Sequence, residues 1–331
     1  MKLVSYVTDQ EVDRLGLVLG DGVVPVAATL PDGTAVTSSQ VFVGAFPASR
    51  EAIERWSATL EATPGTPLAS LSLNSPIAET PAIMDCSVAP RHLAQAAEVL
   101  LSRSAPRALS GAVRRAVRFV GPRLVARAQG GGVLHSNRRA TNLVGDGATV
   151  PWPDYTSFLD IEPEVAIVVA DVEIGADRAT VEAAVIGYVI YNDISARDVQ
   201  LREMASGVMS SAKDMDAGSV IGPFLVTPDE VPDPLALDVT VSTSTGRRWS
   251  GSTADYEMTP VELLLDLSSR QSLAAGTVVG MGTVPGTCGL ELDEWIEPGE
   301  RIEISVTGLG TLHQSFGHPR RLDTSSWGGR P

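Results

Sequence analysis

Four runs rich in β-branched residues constrain this 331-residue chain more than anything else in it: EVAIVVADVEI (164–174), GYVIYND (187–193), LDVTVSTSTG (237–246) and RIEISVTGLGTL (301–312). Val, Ile and Thr are stiff at χ1 and pack well on a pleated surface, so such runs, bounded by Gly, Pro or Asp, predict strands. LVSYV and LGLVLGDGVVPV in the first 30 residues alternate apolar and polar positions around glycine turns, which predicts a small antiparallel β module. Helical spacing is confined to a few places. ASREAIERWSATLEA (48–62) sets Ile53, Trp56 and Leu60 on one face, TVEAAV (180–185) is short, and MTPVELLLDLSSRQS (258–272) opens on a capping box of Thr259, Pro260 and Glu262. Strands do not alternate regularly with long helices, and no glycine-rich phosphate loop follows a strand. This pattern argues against a doubly wound nucleotide-binding sheet, and the chain reads as mostly β, of the α+β class. The Thr/Pro/Ser-rich stretch at 63–81 reads as a linker, dividing an N-terminal module (1–78) from a larger catalytic domain (79–331).

Forty acidic residues against 25 basic ones give a formal net charge of −15, which opposes nucleic-acid binding because phosphates need a basic face. The hydrophobic fraction, 44%, is ample for a core. Two cysteines, Cys86 and Cys288, make neither a disulfide scaffold nor a cysteine metal cage. No run of about 18 apolar residues offers a membrane span, and no signal-peptide core precedes the first acids, so a soluble cytoplasmic protein is expected. The basic set holds 23 arginines and only two lysines, Lys2 and Lys213. Nine of those arginines lie between Glu98 and Asp146, where there is no acid. Within this arginine-rich segment (99–140), SGAVRRAVRFVGPRLVARA predicts a basic amphipathic helix: a solvated face, a lid over an anionic substrate, or a patch facing an acidic partner subunit.

Three clusters carry candidate chemistry. In LDIEPEVAIVVA, Glu162 and Glu164 stand two apart on a strand, so both carboxylates point to one face, roughly 7 Å between Cα atoms. A divalent cation relieves their repulsion, and an all-oxygen set suits Mg²⁺, Mn²⁺ or Ca²⁺; a solvent-facing acidic strand is the plainer alternative, and Pro163 counts against a central strand. In YNDISARDVQ, a strand is expected to end at Asp193 and a helical turn to follow. Asp193, Arg197 and Gln200 then share a face at i, i+4 and i+7, as a metal ligand followed by two substrate-oxygen contacts, unless Asp193 is simply an N-cap. Lys213, in SSAKDMDAGS, is the one lysine of the chain interior and offers a compact ammonium donor. Of the four histidines, His313 and His318 read as surface residues, while His92 follows Asp85 by seven positions.

Together LDIEPE, the string N-D-x-S-A-R-D-x-Q, GMGTVPG and IEPGERIEISVTGLGTL resemble the fumarylacetoacetate hydrolase family, with MKLVSYVTD…RLGLVLGDGVVPVAA similar to its small N-terminal barrel. The resemblance implies a mixed β-roll catalytic domain, usually a homodimer, around Mg²⁺ or Ca²⁺, with Glu162, Glu164 and Asp193 as metal ligands. The Asp85…His92 spacing is similar to the fumarylacetoacetase branch, which implies Asp85 as fourth ligand, His92 as general base and Glu291 as its orienting carboxylate. Arg197, Gln200, Lys213 and Thr283 would surround the substrate oxygens. The chain departs from the family at His135 and Ser136, near which a tyrosine is usual, at Ser87 in place of an aromatic, and at Ala217 in place of a hydroxyl residue.

The implied activity is metal-dependent hydrolysis of a C–C bond in a β-diketo acid or acylpyruvate-like substrate, a small anionic keto acid, by water activated at His92. Decarboxylation, hydration or tautomerisation of a 2-oxo acid, or a specialised-pathway cyclase reusing the fold, are the alternatives. Neither nucleic acid nor membrane is an expected partner.

Overall fold

The computed structural model describes residues 1–8, 13–60, 65–130, 132–206, 209–323 and 327. All four β-branched runs form strands. The seven residues of Pro163–Val169 and the nine of Val185–Asp193 are all buried, and the two strands pair antiparallel. Burial on both faces follows from the alternation. Val165, Ile167 and Val169 enter one apolar cluster, while Ala166 and Val168 enter another on the opposite side. Each fully buried Val or Ile contributes about 1.5–3 kcal/mol relative to exposure, so this strand pair anchors both cores.

These strands sit in the middle of a 12-stranded mixed sheet. On one side of them come Ser219–Val226 and then Lys2–Val7; on the other come Val278–Gly280, Ile83–Cys86 and His135–Arg138. Val278–Gly280 pairs parallel with Ile83–Cys86, whereas Lys2–Val7 pairs antiparallel with Ser219–Val226. The N-terminal strands therefore extend the large sheet, and among the described residues the small N-terminal barrel that the resemblance implies does not close, because Lys2–Val7 pairs with Ser219–Val226 instead. A second, five-stranded sheet holds Asp238–Thr243, Arg248–Ser252, Arg301–Val306, Gly310–Phe316 and Thr149–Val150. The result is the mixed α+β architecture that the strand-dominated sequence predicts.

Local expectations meet specific outcomes. Thr259 and Glu262 form the reciprocal capping box of helix Pro260–Ser268. Helix Ala48–Ser57 is shorter than expected; Ile53 is buried within it, Leu60 packs on the same cluster beyond its end, and residues 61 and 62 lie outside the described residues. The stretch expected to be a linker supplies strands instead, Ser72–Leu73 pairing with Lys2–Val7. Pro163 heads a central strand after all. It is the first strand residue, opposite Asn192, and its carbonyl accepts from Val284 N at 2.9 Å, so a missing N–H costs nothing there. Asp193 is neither an N-cap nor part of a helical face. It ends its strand, and helix Arg197–Ala205 begins after Ala196 with no side-chain cap.

The arginine-rich segment takes in the end of helix Pro90–Ser104, helix Arg107–Gln129 and strand His135–Arg138. Glu98 on the first accepts from Arg114 at 2.8 Å and Arg118 at 2.7 Å on the second. Phe119 stands 74% exposed on the outer side. Among the described residues, no helix is long and apolar enough to cross a membrane.

Candidate active site

Four neighbouring strands frame the acids. Three of them carry acids: Asp85 comes from Ile83–Cys86, Glu164 from Pro163–Val169 with Glu162 just ahead of it, and Asp193 from the end of Val185–Asp193. The fourth strand, Val278–Gly280, carries no acid but leads into the backbone that receives Glu164. Gly282 N donates to Glu164 Oε2 at 2.9 Å. A Cβ at Gly280 would stand 2.5 Å from that oxygen, so only glycine leaves room for the carboxylate. Gly282 has φ +109° and a Cβ there would meet Cys86 O at 2.7 Å.

Cations lie among these acids. Lys213 is 2% exposed; its Nζ donates to Glu162 and, at 2.5 Å, to Asp193 Oδ2. Arg197, fully buried, donates to Asp160 at 2.8 Å, to Glu162 Oε1 at 2.5 Å and to Gln200 Oε1 at 2.9 Å. Arg138 donates to both oxygens of Asp193 at 3.0–3.2 Å, to Ser136 Oγ at 2.8 Å, and to Asp85. Burial alone would raise Glu162, but Arg197 and Lys213 outweigh it and hold that carboxyl well below its usual range. Glu164 is pushed well above its usual range by burial and by the charges of Asp85, Asp193 and Glu162. Burial likewise lifts Asp85 to about 7, against the pull of Arg138.

His92, on the first turn of helix Pro90–Ser104, meets Glu291 across the molecule: Nδ1 and Glu291 Oε1 are 2.7 Å apart. A carboxylate can only accept, so Nδ1 carries a proton, and the other ring nitrogen, Nε2, lies 3.8 Å from Glu162 Oε1. Glu291 is fixed in turn by Gly286 N. Asp160 ties the two halves of the site together. It binds Arg197 and accepts from Gly289 N and Leu290 N at 2.8 and 2.9 Å, at the start of the short helix bearing Glu291.

A cavity of about 240 Å³ brings together Asp85, His92, Glu162, Gln200, Lys213 and Thr283. Ser87, His135 and Ser136, three departures from the family pattern, also line it. Glu164, Asp193 and Arg197 lie behind its wall. Arg197, expected at the substrate oxygens, instead orders Gln200 and Glu162 from within the protein. A larger cavity of about 820 Å³ lies between the two arginine-rich helices; Glu291 is the one expected site residue that it touches.

The four expected ligand carboxylates do not converge as a ready cage. Among the described residues, the one trio of His, Cys, Asp or Glu with ligand atoms all within 4.8 Å of one another is His92, Cys288 and Glu291. The carboxylates are instead bridged by Lys213 and Arg138. The residues nevertheless fit a hard divalent cation. Glu164 Oε1 is buried with no hydrogen-bond partner. Counting Asp160, five buried carboxylates face Arg138, Arg197 and Lys213, so two negative charges stay unbalanced when all are ionised. The donors are all oxygen.

Sequence reasoning missed Arg138 and Asp160. Asp160 had a signal, since it stands two residues before Glu162 on the same alternation. Arg138, one of two adjacent arginines in an arginine-rich stretch, had none.

Fold and site define a mixed α+β protein with a buried acidic cluster beside a histidine–carboxylate pair. A family model for the fumarylacetoacetate (FAA) hydrolase C-terminal domain matches residues 133–316, more than half of the chain, and the chain belongs to that family. An uncharacterised protein of Staphylococcus aureus strain USA300 is 30% identical over 177 residues, a match that covers 53% of this chain and 58% of that protein. The chain thus spans little more than half the length of the curated relatives it matches. Among solved structures, a probable 2-hydroxyhepta-2,4-diene-1,7-dioate isomerase from Mycobacterium abscessus superposes with TM-score 0.70 at 23% identity, over 97% of this chain and all of that one. Maleylpyruvate hydrolase from Sphingobium sp. SYK-6, in complex with manganese(II) and pyruvate, gives 0.68 at 20% identity, over 97% of this chain and 100% of that one. At these identities the likeness is one of fold.

Proposed function

We propose that this protein is a metal-dependent hydrolase that cleaves a C–C bond in a β-diketo acid or acylpyruvate-like substrate, within the fumarylacetoacetase branch of its family. The observation that carries the reading is His92, held through Nδ1 by Glu291 and turning Nε2 toward a cavity lined by acids and a lysine. A divalent cation (Mg²⁺, Mn²⁺ or Ca²⁺) held by Asp85, Glu162, Glu164 and Asp193 would supply Lewis acidity toward the two keto oxygens. The chain's own groups do the rest. His92 Nε2 takes a proton from water as that water attacks the carbonyl, and Glu291 stabilises the charged ring. Lys213, Gln200 and Thr283 donate to the oxygen on which charge develops, in a site where burial strengthens each donor. His92 then returns the proton to the departing carbon.

Isomerisation or decarboxylation of a 2-oxo acid needs no activated water, so the paired His92 and Glu291 favour hydrolysis. Ser87, where an aromatic is usual, and His135 and Ser136, near which a tyrosine is usual, line the cavity wall, so this wall would select among such substrates. The reading includes a homodimer acting in the cytoplasm. Its test is turnover of an acylpyruvate by purified protein with Mg²⁺ or Mn²⁺, followed as pyruvate released; activity abolished in His92→Ala supports it, and activity unaffected by that change contradicts it.

A further inference from the structure

Arg138 is a buried cation in the place where a ligand set would have to converge. Its side chain is 1% exposed. It leaves the His135–Arg138 strand opposite Ile83, two positions from Asp85, and reaches along the sheet to that carboxylate and across to Asp193. Guanidinium is a flat fork of fixed width that binds two carboxylates at once, whereas a metal ion draws oxygens to one point at about 2–2.6 Å. The same two acids cannot satisfy both geometries. Lys213 differs, since a compact ammonium shares Glu162 and Asp193 as a point charge and stands on the cavity wall. Glu164 Oε1, meanwhile, is left without a donor. The acids are thus bridged by the chain's own cations, with one buried carboxylate oxygen left without a partner.

We propose that Arg138 is a built-in counter-cation that competes with a divalent metal ion for Asp85 and Asp193, so that loading the site requires the guanidinium to withdraw from at least one of them. The inference rests on the metal-binding reading above. It has two consequences: metal affinity is lower than four buried carboxylates would otherwise give, and the metal-free protein keeps its fold because Arg138 offsets charge that metal would offset.

The test uses the full chain, stripped with chelator, and reads Mn²⁺ binding from the electron paramagnetic resonance of free Mn²⁺, with thermal melts in parallel. Arg138→Gln is expected to bind Mn²⁺ at least tenfold tighter than wild type. It should melt lower without metal and gain more on adding Mn²⁺ than wild type does. Arg138→Lys, which keeps the charge but reaches only one carboxylate, should fall between the two, and it decides alone if the glutamine variant does not fold. Affinity unchanged or weakened in the folded variants overturns the proposal. Binding by Arg138→Gln but not by wild type upholds it while removing the metal-dependent hydrolase reading. Absence of binding in every form overturns both.

Discussion

His92 and Glu164 serve two separable requirements, and single substitutions should separate them. His92 faces water and substrate through Nε2, so His92→Ala should lower kcat about 10²–10⁴-fold, the usual range for general acid–base catalysis, while Mn²⁺ affinity stays as in wild type. Glu164 lies behind the cavity with one oxygen held by Gly282 N and the other unpartnered. Glu164→Gln should therefore weaken Mn²⁺ binding at least about tenfold, measured directly by titration, and lower activity only through that loss. Retained affinity would show that Glu164 is not a ligand. The cysteines stand beside this chemistry without a step in it: Cys86 lines the cavity, and Cys288 Sγ lies 4.0 Å from His92 Nδ1. Cys86 and Cys288 are fully buried, and burial, aided by nearby acids, pushes both thiols well above their usual range. An aromatic disulfide reagent should find no reactive thiol in the native protein and two after denaturation.

At the scale of elements, the pairing of Glu98 with Arg114 and Arg118 holds the second arginine-rich helix on the first. The Arg118 hydrogen bond, and then the Arg114 one, outweigh partial burial and hold Glu98 below its ordinary range. A carboxyl depressed in the fold contributes stability above its unfolded pKa, near 4.5, and loses it as pH falls through the lower folded value. Glu98→Gln should therefore lower the melting temperature at pH 7, and the gap to wild type should close as pH falls through the lower folded value; a gap independent of pH would contradict the pairing. Strands and caps were legible in the sequence because their signals are local, as the β-branched runs and the Thr259–Glu262 box show. The relation of Asp193 to Arg197 was misread, since i, i+4 spacing looks the same whether a helix spans it or a strand ends within it. Arg138 was illegible for another reason. Its partners lie 53 and 55 residues away, and only the pairing of strands brings them together.

For the whole molecule, one continuous sheet joins the N-terminal strands to those that carry the acids. Lys2–Val7 is hydrogen-bonded to Ser219–Val226, and Leu3, Leu15 and Ile53 share a core with Val168 and Tyr191. A chain beginning at residue 79 would expose that sheet edge and one face of the strand bearing Glu164. It should show no cooperative melt, whereas an independently folding catalytic fragment would contradict this coupling. Asp85, His92, Glu162, Gln200, Lys213 and Thr283 line one cavity, whereas Arg197 faces inward, toward Asp160 and Glu162. The central claim is that water activated at His92 splits a C–C bond. Incubating the Mg²⁺- or Mn²⁺-loaded protein with an acylpyruvate in ¹⁸O-water tests it most directly. The account predicts pyruvate and a new carboxylic acid carrying one solvent oxygen in its carboxylate; an isomerised or decarboxylated product without such label would contradict it.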